Sequence, residues 1–304
     1  MHPFIRLLRP FTLLPPMLGM VTGAAAAVGV VGWDVLDGSH ARNILLGMVM
    51  AGTLNGASNV LNQIHDLAQD RINKPHRPLP AGTVSLRAAR RFALFLYLAA
   101  LVMAWFVRVG AGPECFALVA VAAFLTWAYS APPLRWRRLG WRANLTVAVP
   151  RGWLLKVAGW STVAPVLHDP EPWFLGFVFF LFLLGATSTK DYADLEGDAR
   201  AGVRNLPIRL GVVRSIRVIA PFLVVPWLLL PLGCLGTDPL LTPPWPAVTG
   251  LGLVLAGYGV FIARLLYRDV QALPSHGENH PAWRHMYGLM MTAQIGSALV
   301  YLVP

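Results

Sequence analysis

Apolar runs long enough to cross the hydrocarbon core of a bilayer recur along almost the whole chain, near residues 12–31, 43–62, 92–109, 114–131, 143–165, 173–189, 215–235, 246–266 and 286–303. They predict nine transmembrane helices joined by short polar stretches, an all-α integral membrane protein with a single domain over residues 1–304. The fifth run is the weakest, because Arg151 and Lys156 interrupt it. Five positions apart on an α-helix, these cations sit about 140° apart, so one can face an interior cavity while the other snorkels or pairs elsewhere. The first run follows a short basic segment and lacks a small-residue cleavage site, which predicts an uncleaved first span.

Composition supports the same class. Of 304 residues 56% are hydrophobic and 13% charged, and the mean hydropathy is +0.57, which excludes an ordinary soluble globular chain. The net charge of +11 changes the picture only through its placement. Twenty-one of the 25 Lys and Arg fall in the amino-terminal segment and in the loops after spans two, four, six and eight, against Arg42 and Arg108 in the opposite loops. The positive-inside rule then puts the amino terminus in the cytoplasm and the carboxyl terminus outside, in the cell membrane. Cations split among short loops face anionic headgroups, so no nucleic-acid partner is expected. Cys115 and Cys234 match no metal motif and read as packing residues.

Against this background, two segments stand out: Asn62 to Gly82 and Lys190 to Gly211 hold six of the fourteen acidic residues. Asn62, Asp66 and Asp70 recur at i, i+4, i+8, and Asp191, Asp194 and Asp198 at i, i+3, i+7, so on helices each set projects from one face. Stacked like charges repel unless a cation is shared between them. The two segments also repeat one another. Placing Asn62 over Lys190 aligns Asp66 with Asp194 and Asp70 with Asp198, and Arg77-Pro78-Leu79-Pro80 nearly matches Arg204-Asn205-Leu206-Pro207. Hard oxygen donors suit Mg²⁺, which is held by few carboxylates together with substrate phosphates, so two Mg²⁺ ions and a diphosphate headgroup are expected between the two acidic faces. The bland alternative pairs the same aspartates with Arg71, Lys74 and Lys190 as solvated salt bridges. His65 and His76 flank the first segment and read as spectators; His276, His280 and His285 match no carboxylate pattern and receive no role.

At these residues the sequence resembles the UbiA superfamily of intramembrane prenyltransferases, whose motifs are N-x-x-x-D-x-x-x-D, matched by Asn62, Asp66 and Asp70, and D-x-x-x-D, matched by Asp194 and Asp198 with Asp191 extending it. RINKPHRPLPAG, YSAPPLRWRRLGW from Tyr129, and RPFTLLPP from Arg9 are also similar to the family. The resemblance implies a nine-helix fold around a central cavity open to the cytoplasmic side and laterally to lipid. It further implies Mg²⁺-dependent transfer of an isoprenyl group from an isoprenyl diphosphate to an aromatic or other hydrophobic acceptor. Asp66, Asp70, Asp194, Asp198 and Tyr129 would be catalytic, Tyr129 through its ring facing the allylic cation. Asn62 and the five aspartates would hold metal. Arg9, Asn62, Lys74, Arg77, Arg135, Arg151 and Lys190 would bind substrate. Asn62-Gln63 looks like the homogentisate-prenylating branch, whereas KDYADLEGDARAG and YSAPPL look more like chlorophyll synthases and somewhat like the archaeal ether-lipid enzymes, so the acceptor stays open. A terpene cyclase using the same diphosphate site is the alternative; a cation-coupled transporter fits less well, because its acids belong near the bilayer midplane.

Overall fold

The computed structural model describes residues 2–110, 112–192, 195–200, 202–268, 270, 273 and 281–302. Among them every regular element is helical: α1 (Pro3–Leu8), α2 (Leu14–Val31), α3 (Gly38–His65), α4 (Leu67–Asn73), α5 (Leu86–Phe106), α6 (Glu114–Ser130), α7 (Trp141–Ala148), α8 (Leu155–Trp160), α9 (Pro170–Ala186), α10 (Leu195–Arg200), α11 (Leu206–Leu210), α12 (Val212–Leu228), α13 (Trp245–Arg268) and α14 (Pro281–Leu302). The starts of the long helices are written locally. Asp37 caps α3, accepting from the Ser39 and His40 N–H groups at 2.8 and 3.1 Å. Ser85 does the same for α5, and Asp169 followed by Pro170 opens α9.

Chain neighbours are also spatial neighbours. The sequence of contacts α2, α3, α5, α6, α7, α9, α12, α13, α14 returns to α2 and closes a ring. Within it, α8 lies close against α2, where a Cβ added to Gly23 would come within 2.7 Å of the Lys156 carbonyl oxygen and 3.0 Å of Gly159 Cα. Small residues permit this approach, the usual way helices associate without a hydrophobic driving force. The outer surface is apolar: Leu94, Phe95, Leu98 and Val102 on α5 are all more than half exposed. An outward apolar face of this kind belongs against lipid.

Six helical stretches are long and apolar enough to cross a membrane: Pro10–Val31, Gly38–His65, Leu86–Phe106, Pro170–Lys190, Val212–Cys234 and Trp245–Arg268. Glu114–Ser130 is apolar but shorter. These seven coincide with seven of the nine predicted spans, and α14 covers most of the ninth while carrying Arg284, His285 and Gln294. The fifth differs in form: residues 141–160 are helical throughout, but the α-helical pitch is interrupted in the middle. After α7 the chain makes a π-helical turn, Val149–Leu154, before α8 resumes the α-helical pitch. Pro150 has no N–H to offer the Thr146 carbonyl, so the i→i−4 ladder cannot run through this point.

Candidate active site

Where α3, α6 and α9 end, the ring encloses a cavity of about 260 Å³ whose wall includes both acidic segments. Helix α3 stops at His65, and Asp66 sits at the break with φ −102° and ψ 8°. Its N–H still bonds the Asn62 carbonyl at 2.9 Å, and the Asp70 N–H bonds the Asp66 carbonyl at 2.8 Å. The predicted helix therefore bends at Asp66, yet Asn62, Asp66 and Asp70 all line the cavity. Asp66 and Asp70 are buried. Both Asp70 oxygens accept from Arg77 Nη1, at 3.0 and 2.9 Å.

The second segment is built differently. A 3₁₀ turn, Thr187–Lys190, follows α9 and delivers Asp191, whereas Asp198 lies on α10, so the two do not share one helix. Both nevertheless line the cavity. Asp194 lies outside the described residues. Asn205 Nδ2 donates to Asp198 Oδ2 at 3.0 Å, seven positions away, the same separation that joins Asp70 to Arg77. Asn144 on α7 steadies the turn, donating to the Leu184 carbonyl at 2.8 Å and to Ser188 Oγ at 2.9 Å. Tyr192 is buried with its hydroxyl 3.0 Å from Ser215 Oγ, and burial pushes its phenol above the ordinary value.

Cations complete the wall: Arg9, Lys74, Arg77, Arg137, Arg151 and Lys190 all line it. Lys190 Nζ donates to the Tyr129 hydroxyl at 3.1 Å and lies 5.4 Å from the ring centroid. The turn after α6 carries two arginines with separate tasks. Arg137 pairs with Asp66 Oδ2, and its Nη2 is 3.7 Å from Asp198 Oδ1. Arg135, at φ 41°, instead donates to the His65 carbonyl at 2.8 Å; burial, then the neighbouring Arg138, lowers its guanidinium from the ordinary value. Arg135 does not line the cavity itself; its Nη2 serves the carbonyl end of α3 and lies 3.8 Å from Asp66 Oδ1, next to the wall. Beyond Thr126 and Arg151, which border both spaces, a second cavity of about 50 Å³ is lined by apolar side chains including Met20, Met50, Leu54, Leu118 and Leu154.

The sequence matches the UbiA prenyltransferase family over residues 12–274. The chain belongs to that family. It is therefore a prenyltransferase, and the family's reaction moves an isoprenyl group from a diphosphate donor to a hydrophobic acceptor. It is 30% identical to the bacteriochlorophyll synthase 33 kDa chain of Cereibacter sphaeroides, over 89% of this chain and 94% of that protein. It is 32% identical to the bacteriochlorophyll synthase 34 kDa chain of Chloroflexus aurantiacus, over 71% of this chain and 66% of the relative. A UbiA homologue from Archaeoglobus fulgidus bound to DMAPP and Mg²⁺ has the same fold, with a TM-score of 0.71 at 18% identity over 99% of both chains.

In this UbiA prenyltransferase the expected metal set can be tested against the donors present. Among the described residues no three His, Cys, Asp or Glu side chains gather as a preformed metal cage. The wall is nonetheless rich in hard oxygens, and among the described residues the buried Asp66 Oδ1 and Gln69 Oε1 accept no hydrogen bond. That fits an ion held by few carboxylates and completed by substrate phosphate, rather than a closed protein site. Arg137, Gln69, Asn59, Trp283 and Tyr287 join the wall without having been singled out from sequence. Only Arg137 left a trace there, within the Arg-Trp-Arg-Arg run.

The two unexplained cations of the fifth span separate as helical spacing allows. The π-helical turn carries Arg151 into the cavity wall. Lys156 is 2% exposed, donates to Thr22 Oγ1 at 2.7 Å and lies 4.5 Å from the Phe179 ring centroid, away from the cavity. A buried ammonium with one hydroxyl partner and a ring face is a net cost to the fold. Lys156→Met is accordingly expected to keep turnover within about threefold of the parent and to leave the melting temperature equal or higher; thermal unfolding and product formation on one preparation check both.

Proposed function

We propose that this prenyltransferase binds an isoprenyl diphosphate with its head in the polar cavity and its chain in the adjoining apolar one. The observation that carries the reading is a cavity wall that unites both acidic segments with six cations and shares Thr126 and Arg151 with an apolar cavity beside it. Asn62, Asp66 and Asp70 on one side and Asp191, Asp194 and Asp198 on the other would hold two Mg²⁺ ions. When bound, Mg²⁺ neutralises the diphosphate and lowers the energy of the departing pyrophosphate.

The chain's own groups do the rest. Arg9, Lys74, Arg77 and Lys190 face the diphosphate, Arg as a planar fork and Lys as a point charge, and their preset positions stabilise charge that develops as the C–O bond breaks. Tyr129, held by Lys190, offers its ring to the allylic cation. Arg151 marks where the head ends and the chain begins, and the apolar cavity keeps water from the cation. A hydrophobic acceptor, aromatic or otherwise, then attacks the allylic carbon and gives up the proton that the prenyl group replaces, to the departing pyrophosphate or to water at the polar end of the cavity. In this reading the polypeptide is one domain that crosses the cell membrane nine times, with its amino terminus and the acidic segments in the cytoplasm and the cavity open to that side and to lipid.

The test is turnover of labelled geranylgeranyl diphosphate by purified protein in nanodiscs, across a panel of hydrophobic acceptors. Chelation is expected to abolish product, and Mg²⁺ to restore it better than Ca²⁺, which takes more ligands at longer distances. Full activity after exhaustive chelation would overturn the metal assignment. Cyclic hydrocarbon released without any acceptor would replace transfer with cyclisation.

A further inference from the structure

Arg137 stands between the two halves of the site. It lies on the 3₁₀ turn Trp136–Arg138, between α6 and α7, and one guanidinium reaches Asp66 of the first acidic segment and Asp198 of the second. Its side chain is 14% exposed, and those of its two partners are 9% and 14%. The remaining described contacts of these acids leave a gap of one kind. Asp70 is occupied by Arg77 and Asp198 Oδ2 by Asn205, but the buried Asp66 Oδ1 accepts no hydrogen bond among the described residues and has only the Arg135 guanidinium near it, at 3.8 Å.

We infer that Arg137 is a displaceable cation, holding Asp66 and Asp198 together in place of metal and transferring to the diphosphate when metal and donor bind. The inference rests on the Mg²⁺–diphosphate reading above. A divalent ion arriving alone must compete with a guanidinium for the same carboxylates, and it brings no anion to receive the guanidinium that it displaces. When a diphosphate arrives with it, phosphate oxygens accept the Arg137 fork as readily as the carboxylates did. Metal and diphosphate therefore raise each other's affinity by more than their own contact provides, and this coupling is reciprocal.

The experiment measures protein-bound Mn²⁺ by electron paramagnetic resonance in nanodiscs, with and without inorganic pyrophosphate. The parent protein is expected to bind Mn²⁺ weakly alone and tightly with pyrophosphate. Arg137→Gln is expected to bind Mn²⁺ alone about tenfold more tightly, and its gain from pyrophosphate to shrink by a similar factor. Arg137→Met keeps the aliphatic stem, repeats the measurement should the Gln variant not fold, and should behave alike. Unchanged Mn²⁺ affinity in a folded Arg137 variant, with pyrophosphate still enhancing both proteins, would overturn the placeholder and leave the proposed function standing. Absence of Mn²⁺ binding in the parent even with pyrophosphate would overturn both.

Discussion

Asp66→Asn is expected to reduce turnover by at least about a thousandfold while leaving a folded protein, because it removes a charge from the point where both halves of the site meet. The carboxylate is buried at the break between α3 and α4 and touches arginines from the turn after α6. An amide of nearly the same shape keeps the packing and loses the anionic donor. The loss should appear in turnover rather than in the elution volume or helical content of the purified variant. Product formation from labelled donor at saturating Mg²⁺ checks it, and activity within tenfold of the parent would remove Asp66 from the proposed metal set.

Gly152→Ala is expected to cost about 3 kcal/mol of stability, the upper part of the usual range for overpacking, and to impair donor use beyond that. A Cβ at this position would lie 2.7 Å from both the N and Cα of Phe180 and 2.8 Å from the Phe179 carbonyl oxygen. All three atoms are backbone of α9, so no rotamer change relieves the clash. Either α9 shifts, disturbing the turn that carries Lys190 and Asp191, or the π-helical turn shifts and takes Arg151 with it. Thermal unfolding reads the first effect, and the Michaelis constant for donor in the folded fraction reads the second. A melting temperature and donor constant both matching the parent would show that the turn is more plastic than its contacts imply.

Much of the architecture was legible because a bilayer admits few solutions: apolar runs of the right length must become helices. The first acidic set was legible for a related reason, since four-residue spacing survives a bend at Asp66. The second set was legible in content and not in form. Asp191 and Asp198 reach one cavity from a 3₁₀ turn and a separate short helix, a convergence that no periodicity encodes. The repeat was misaligned by one residue at its end: sequence matched Arg204 to Arg77, whereas Asn205 does the corresponding work. Asn205 also caps α11, accepting from the Ile208 N–H at 3.0 Å, so local helix chemistry fixed the position. Arg135 and Arg137 could not be told apart in a run of cations whose commonest role is topology. With a left-handed backbone, Arg135 donates to the His65 carbonyl and lies 3.8 Å from Asp66, whereas Arg137 reaches both Asp66 and Asp198.

The ring closes where α14 meets α2, a contact between the last described helix and the first long one. Every other seam joins helices that follow one another closely in the chain and can pair as they leave the ribosome. This one waits until the chain has reached α14. Trp283 and Tyr287 of α14 line the cavity, so the seam that joins the two ends of the helix order is also the one that completes the wall around the charged groups.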